Sequence, residues 1–131
     1  MSYLVDSDWV VDYLKGRAAA VALLDQFFPQ GLAISVITYG EVYEGIYYGR
    51  DPQRNEAIFR QLLEGVRVLP ITRPVARRFA LIRGELRARG ELIPQPDLLI
   101  AATALHHDLT LMTRNIRHFS RIVDLRLYQT H

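Results

Sequence analysis

The chain has 131 residues, half of them hydrophobic and 23% charged, which is the size and composition of a folded domain with a sizeable core. No apolar run approaches the roughly 18 residues that a membrane span requires, and the N-terminal MSYLVDSDW lacks the basic and apolar segments of a secretion signal. Because the sequence contains no cysteine, disulfides and thiolate metal sites are excluded. We expect one domain over residues 1–131, in a cytoplasmic protein that does not bind membranes.

Charge is unevenly distributed along the chain, although the formal net charge is only +2. Residues 1–66 carry five basic and nine acidic side chains, a balance of −4, whereas residues 67–131 carry eleven basic and five acidic ones, a balance of +6. Fifteen of the sixteen basic residues are arginine, whose planar guanidinium binds phosphate or carboxylate through paired hydrogen bonds. The pattern fits a polyanionic partner, but a solvated and thermally robust surface would also produce it.

Short apolar runs alternate with helical patterns along the chain. In chain order, the predicted elements are a strand over 3–6, helical patterns over 9–28, a strand over 32–37, helical patterns over 39–48 and 53–64, a strand over 66–71, a helix through 75–86 preceded by Pro74, a helical pattern over 97–107, a strand over 109–113 and a weaker strand over 125–128. Alternating strands and helices indicate a parallel sheet covered on both faces. We therefore predict an α/β fold, a three-layer α/β/α sandwich with a mostly parallel sheet of four or five strands.

Polar residues follow the predicted strands at the ends where binding sites form. Asp6 closes the first strand, Glu41 lies about one helical turn after the second, and Asp97 opens the apolar helix LLIAATAL. The segment TRNIRHF, residues 113–119, leaves the fourth strand. Because sites in parallel sheets form at the carboxyl ends of the strands, we expect three carboxylates and one polar loop to meet at one edge.

Each carboxylate also has a purely structural interpretation. Asp6 and Asp8 suit the cap of a helix that begins just after them, and Glu41 completes a capping-box pattern in TYGE, residues 38–41. The positive end of a helix dipole would stabilise Asp97. Three such caps at one sheet edge would nevertheless place three negative charges close together, which raises their pKa values and costs stability unless a cation intervenes.

A hard divalent cation would relieve this repulsion. Mg²⁺ or Mn²⁺ prefers carboxylate oxygens and water, whereas zinc would favour cysteine or a His-x-x-x-His pair, neither of which occurs. Such an ion activates a water molecule and stabilises the charge that builds on a phosphate during hydrolysis. With arginines to hold a polyanion, the sequence predicts a metal-dependent phosphodiesterase.

Four segments in a fixed order carry a resemblance to a known family. VDSDW, the glutamate within ISVITYGEVYEG, PDLLIAATAL and finally LMTRNIRHF resemble PIN-domain ribonucleases, in particular toxins of the VapC type. The resemblance extends from about Tyr3 to Tyr128 and is most specific in the IAATA and TRN-x-x-HF elements. It implies a compact α/β/α fold, a Mg²⁺- or Mn²⁺-dependent endoribonuclease and an antitoxin that blocks the site. It also implies frequent homodimers and RNA targets such as transfer or ribosomal RNA.

The resemblance also implies roles for individual acids. Asp6 and Asp97 match direct metal ligands, and Glu41 matches an acid that helps to bind metal or orients the attacking water. Many PIN domains supply a fourth acid after the fourth strand, where this sequence has Asn115 and His118. We therefore expect Asp6, Glu41 and Asp97 to carry metal binding and catalysis.

Three residues are candidates to replace the missing fourth acid, namely Asp8, Glu44 and His118. Asp8 and Glu44 are otherwise capping or surface residues. A histidine beside Phe119 is more often packed or exposed than functional, although it could touch the substrate phosphate.

The remaining polar residues of the TRNIRHF loop have two interpretations. Thr113 and Asn115 could hydrogen-bond the metal-binding aspartates and fix their orientation, as hard metal sites require. Equally, they could cap a short turn after the strand. Arg114 and Arg117, next to the predicted site, are the candidates for phosphate binding.

Two further functions compete with a nuclease. Asp6-Ser7-Asp8 matches the D-x-D of phosphatases with an aspartate nucleophile, but those enzymes resemble the haloacid dehalogenase group and need a downstream lysine, whereas the only lysine here is Lys15. A non-catalytic PIN-like module that binds RNA or protein is suggested by the missing fourth acid. The sequence lacks the glycine motifs of dinucleotide-binding and nucleoside triphosphate-binding proteins, which argues against both functions.

Overall fold

A computed structural model describes residues 2–129, which form four strands, seven α-helices and a short 3-10 turn. The elements are β1 (Tyr3–Val5), α1 (Ser7–Leu14), α2 (Ala18–Phe27), the 3-10 turn (Phe28–Gln30), β2 (Leu32–Ser35), α3 (Val36–Tyr48), α4 (Pro52–Leu63), β3 (Val66–Leu69), α5 (Arg73–Ala88), α6 (Gln95–His106), β4 (Thr110–Met112) and α7 (Ile116–Phe119). Across residues 2–129, no helix is both long and apolar enough to cross a membrane.

The four strands form a single sheet in the order β3-β2-β1-β4, and every neighbouring pair is parallel. The two central strands, β2 and β1, end at Ser35 and Val5, so the polar residues beyond them lie at the middle of one edge. The predicted parallel sheet is confirmed. The weaker strand predicted over 125–128 is wrong, because this segment makes only one isolated bridge, between Leu127 and Leu111.

Two apolar cores lie on opposite faces of the sheet, which confirms the three-layer arrangement. Because side chains of a strand alternate between faces, Leu4 joins one core and Val5 the other. Helices α5, α6 and α7 supply the first core, whereas α1 to α4 supply the second. Helix α6 is buried over most of its circumference, as its continuous apolar run requires, and this holds its first turn firmly against the sheet edge.

Two helix boundaries differ from the predictions, and both differences affect the site. The helical pattern over 9–28 is two helices, since Gly16 adopts a left-handed φ of 71° between them. The strand predicted over 32–37 ends at Ser35, whose hydroxyl accepts a hydrogen bond from the Ile37 N–H at 3.1 Å and caps α3. The capping box proposed for residues 38–41 is therefore wrong. Thr38 is a buried residue inside α3, and Glu41 lies in its second turn.

Candidate active site at the carboxyl edge of the sheet

Asp6 lies at the centre of the edge, directly after β1, and is only 7% exposed. It caps α1, because its Oδ1 accepts the Ser7 N–H at 2.8 Å. Its Oδ2 accepts the hydroxyl of Thr113 at 2.7 Å, which ties the end of β1 to the loop after β4. The capping interpretation of Asp6 is therefore confirmed, while its part in metal binding stays a prediction that the cap does not exclude.

Asp6 is buried and has two other carboxylates nearby. Burial raises the pKa of this carboxyl from 3.8 to about 6, the hydrogen bond from Thr113 lowers it in part, and the negative charges of Asp8 and Asp97 raise it further. The three aspartates are thus close enough to repel one another. A cation bound among them would favour the charged form of Asp6.

Asp97 stands in the first turn of α6, half-buried, and faces the loop after β4. Its Oδ2 lies 2.9 Å from Nδ1 of His118 and 3.5 Å from Nδ2 of Asn115. Since a carboxylate only accepts hydrogen bonds, Nδ1 must carry the hydrogen in the His118 contact. The Asn115 contact is at the long limit for a hydrogen bond. Both residues that stand where a fourth acid was considered therefore contact Asp97.

Asp8 also belongs to this edge. Its Oδ1 accepts the Trp9 N–H at 2.7 Å, and its Oδ2 accepts the backbone N–H of Arg114 at 2.8 Å. Burial raises the pKa of its carboxyl, and these two N–H groups offset part of that rise. Asp8 thus anchors the loop after β4 while adding a negative charge near Asp6.

Glu41 approaches the site from α3 and is exposed. Its Oε1 accepts the Ser7 hydroxyl at 2.7 Å, and the same hydroxyl lies 3.4 Å from Oγ1 of the buried Thr38. Ser7 follows Asp6 directly, so it connects Glu41 to the central carboxylate. Glu44, one turn further along α3, is exposed as well.

The loop after β4 performs both of the roles considered for it. The hydroxyl of Thr113 donates to Asp6 and also accepts the Asn115 N–H at 3.0 Å, so it orients the carboxylate and closes the turn. The predicted hydrogen bond to an aspartate is present, while its part in metal binding stays a prediction. Arg117 is exposed on α7.

The side chain of Arg114 already contacts other residues of the protein, unlike an arginine that is free to bind phosphate. Its guanidinium lies over the Trp9 ring, 3.8 Å from the ring centroid, and pairs with the carboxylate of Asp12. This pairing holds the pKa of Asp12 below its usual range. The side chain is still 44% exposed, so one side of the guanidinium faces solvent.

Sequence reasoning missed four of these contacts. Ser7 was considered only as the middle of a D-x-D pattern, and Trp9 and Asp12 were not considered at all. His118 was interpreted as a packed or exposed residue, as a phosphate contact or as a replacement for the missing acid, yet its contact is with Asp97. A usable signal was that Ser7 and His118 lie within three residues of predicted site positions.

The carboxylates suit a hard cation in chemistry, although they do not form a ready-made cage. Within residues 2–129, no three Asp, Glu or His side chains are grouped closely enough to enclose a metal ion. Mg²⁺ usually keeps several waters and binds through one or two carboxylates, which Asp6 and Asp97 at this edge can supply. Burial, with a smaller contribution from the charges of Asp8 and Asp97, raises the pKa of Asp6, and a cation at this edge would offset both effects.

The family model of the PIN domain matches residues 3–125. This chain belongs to the PIN domain family. The PIN domain is 31% identical over 128 residues, 96% of each chain, to Ribonuclease VapC2 of Haemophilus influenzae. It is 39% identical over 124 residues, 94% of this chain and 90% of the relative, to Ribonuclease VapC10 of Mycobacterium tuberculosis.

Solved structures agree with this family. The PIN domain superimposes with a TM-score of 0.89 and 26% identity on a chain in the crystal structure of VapBC2 from Rickettsia felis bound to a promoter DNA fragment, with 98% of both chains covered. For DNA-bound VapBC from Salmonella typhimurium the TM-score is also 0.89, at 25% identity. The predicted resemblance is confirmed, and the match argues against the haloacid dehalogenase group.

Proposed function

We propose that this chain is a metal-dependent endoribonuclease that hydrolyses RNA phosphodiester bonds and is the toxin of a toxin–antitoxin pair. The observation that carries the proposal is the aspartate-lined edge of a PIN fold, in a chain whose relatives over nearly full length are named Ribonuclease VapC. The partner we expect is an antitoxin protein, since structural neighbours at 25–26% identity are VapBC complexes.

The site residues have distinct proposed roles. Asp6 and Asp97 would hold Mg²⁺ or Mn²⁺, and Glu41, aligned by the Ser7 hydroxyl, would help to bind the ion or orient the attacking water. When bound, the ion would lower the pKa of a water molecule and stabilise negative charge on the phosphate. Thr113 fixes the rotation of the Asp6 carboxylate through its 2.7 Å hydrogen bond.

The loop after β4 supports the acids and faces the substrate. Asn115 and His118 restrain Asp97 from one side, which is what outer contacts of a metal site do. Arg117, which is exposed on α7, would contact RNA phosphates, whereas Arg114 is engaged by Trp9 and Asp12. We further propose a cytoplasmic homodimer that acts on RNA targets such as transfer or ribosomal RNA, through one domain over residues 1–131.

Cleavage of RNA by the purified chain, freed from any antitoxin, tests the proposal. We expect cleavage with Mg²⁺ or Mn²⁺ and none after chelation. Asp6→Asn and Asp97→Asn should each lower the rate at least about 100-fold, because each removes a charged ligand. Asp25→Asn, at an exposed position on α2, is the matched control and should cleave normally. Wild-type rates in both site variants, with folding verified by circular dichroism, would refute the assignment.

A catalytically degraded PIN-like module is the second candidate, and Asn115 and His118 in place of an acid are the observation in its favour. Expression in bacteria separates the two functions. A toxin should arrest growth, and Asp6→Asn or co-expression of a small gene adjacent to its own should relieve the arrest. Unaffected growth, together with RNA binding that persists without cleavage, would favour the module.

A further inference from the structure

A small pocket is bounded by the start of α1, by the loop after β4 and by the C-terminal segment that contains Tyr128. It has a volume of about 270 Å³ and is lined by Trp9, Thr113, Arg114, Ile116, Tyr128 and Gln129. Its size is near the lower end of ligand pockets, which fits one planar ring system rather than a longer segment of a polymer.

This pocket adjoins the carboxylates through two of its residues. The Thr113 hydroxyl donates to Asp6, and the Arg114 N–H donates to Asp8, while the side chain of Arg114 lines the pocket. A group held in the pocket would therefore share two neighbours, Thr113 and Arg114, with a phosphate at the aspartates. In RNA, a group that lies beside a phosphate is the base of a neighbouring nucleotide.

The guanidinium of Arg114 is held in position by two neighbouring side chains. The Trp9 ring lies beneath its guanidinium at 3.8 Å, and the carboxylate of Asp12 pairs with its edge. Trp9 itself is only 6% exposed, whereas the side chain of Arg114 is 44% exposed, so the arginine is the member of this pair that solvent reaches. Bases of single-stranded RNA stack on guanidinium planes, and a plane that is already fixed loses little entropy when a base binds.

Polar and apolar groups complete the pocket opposite this plane. The ring of Tyr128 is fixed by edge-on packing against Phe27, with centroids 5.3 Å apart, so its position is defined. Gln129 is exposed and carries an amide that both donates and accepts hydrogen bonds, as the edge of a base requires. Ile116 adds an apolar contact.

We propose that this pocket binds one base of the single-stranded RNA substrate beside the cleaved phosphate, with Arg114 as the stacking plane and Gln129 reading the edge of the base. The inference rests on the proposed ribonuclease function and extends it, because it makes the cleavage position dependent on base identity. Specificity then resides in residues outside the acidic cluster.

Binding of single mononucleotides, which the enzyme cannot cleave, tests the pocket without catalysis. Trp9 is the only tryptophan, so its indole N–H gives one resonance in a ¹⁵N-labelled protein. In the presence of chelator we expect saturable shifts of this resonance with AMP, CMP, GMP or UMP, with one of them binding about fivefold or more tightly than the weakest. Ribose 5-phosphate, which lacks a base, should not shift it. Equal shifts with ribose 5-phosphate, or none with any nucleotide, would overturn the proposal.

Three substitutions separate the parts of the pocket. Gln129→Ala should reduce the difference among the four nucleotides to about twofold or less, since the amide no longer reads the base. Arg114→Lys keeps the charge and loses the plane, so all nucleotides should bind about fivefold or more weakly. Gln61→Ala, which removes an exposed amide on α4, is the control and should change nothing. Unaltered discrimination in Gln129→Ala would contradict the reading role.

Cleavage of an RNA library with randomised sequence gives the functional readout. The wild type should prefer one base at one fixed position next to the cut, and Gln129→Ala should lose that preference. If the wild type cleaves no RNA while the nucleotides still shift the Trp9 resonance selectively, the ribonuclease assignment fails and the base pocket stands. If it cleaves without any base preference and the resonance does not move, only the pocket inference fails.

Discussion

Replacing Thr113 by valine removes the hydroxyl that stabilises the charged form of Asp6. The two groups are 2.7 Å apart and almost inaccessible, since Thr113 is 5% and Asp6 7% exposed. A hydrogen bond to a charged group contributes about 1.5–3 kcal/mol, and about 1.4 kcal/mol corresponds to one pH unit. Because the pKa of Asp6 is already raised to about 6, we expect Thr113→Val to raise it by roughly one to two further pH units.

Titration of the side-chain carboxyl carbons by NMR, in the metal-free protein, measures this change directly. The wild type should show Asp6 near pH 6, Thr113→Val should show it at higher pH, and Thr113→Ser should remain near the wild type because it keeps a hydroxyl. Protons compete with a metal ion for this carboxylate, so the acidic limb of RNA cleavage at low Mg²⁺ should move in the same direction. An unchanged titration of Asp6 in Thr113→Val would refute the reasoning.

The same pKa fixes how stability depends on pH. Because the folded-state pKa of Asp6 lies above its ordinary 3.8, the folded protein binds more protons than the unfolded chain between about pH 4 and 6. Asp6 therefore contributes most to the free energy of unfolding below about pH 4. About 3 kcal/mol of this free energy is lost as the pH rises through 6. Urea unfolding of the metal-free protein at a series of pH values should show this loss, and Mg²⁺ should restore part of it at pH 7.

Three further substitutions have defined outcomes. Asn115→Asp adds a carboxylate beside Asp97, so calorimetry should show about tenfold tighter Mg²⁺ binding, and no change would place the loop outside the reach of the ion. His118→Ala removes the 2.9 Å contact with Asp97 and should weaken the apparent Mg²⁺ affinity in cleavage assays about tenfold, whereas an unchanged affinity would make His118 a structural residue. Phe59→Ala empties a fully buried position in the core between the sheet and α4, and urea unfolding should show a loss of about 3–5 kcal/mol.

The sheet could be predicted from the sequence because its strands are short, buried and separated by helical patterns. Leu4 and Val5 face different cores, yet both are apolar, as a strand covered on both faces requires. The end of β2 was harder to predict, because the apolar run continues from LAIS into the first turn of α3 without a change of composition. Only the cap at Ser35 marks the boundary, and a serine inside an apolar run is a weak signal.

The acids of the candidate site could be placed at one edge from their order after the strands, but their contacts could not be predicted. Ser7 and Glu41 are 34 positions apart, and Asp97 and His118 are 21 apart, so helical or strand spacing does not relate them. Their hydrogen bonds depend on the position of each helix relative to the edge of the sheet. For Asp97, that position is determined by the packing of α6 against the rest of the core.

The absence of a fourth acid changes what the TRNIRHF loop does at the site. A carboxylate at position 115 would add a fourth negative charge to a cluster in which Asp8 and Asp97 already raise the pKa of Asp6. His118 instead donates a hydrogen bond to Oδ2 of Asp97, and Asn115 brings a neutral amide 3.5 Å from the same oxygen, so the loop reduces repulsion where an acid would increase it. Only the other oxygen of Asp97 is then free of these donors. If the proposed metal binding holds, fewer available carboxylate oxygens and a lower negative charge would favour one hydrated ion over two, and calorimetry with Mg²⁺ should then give a stoichiometry of about one.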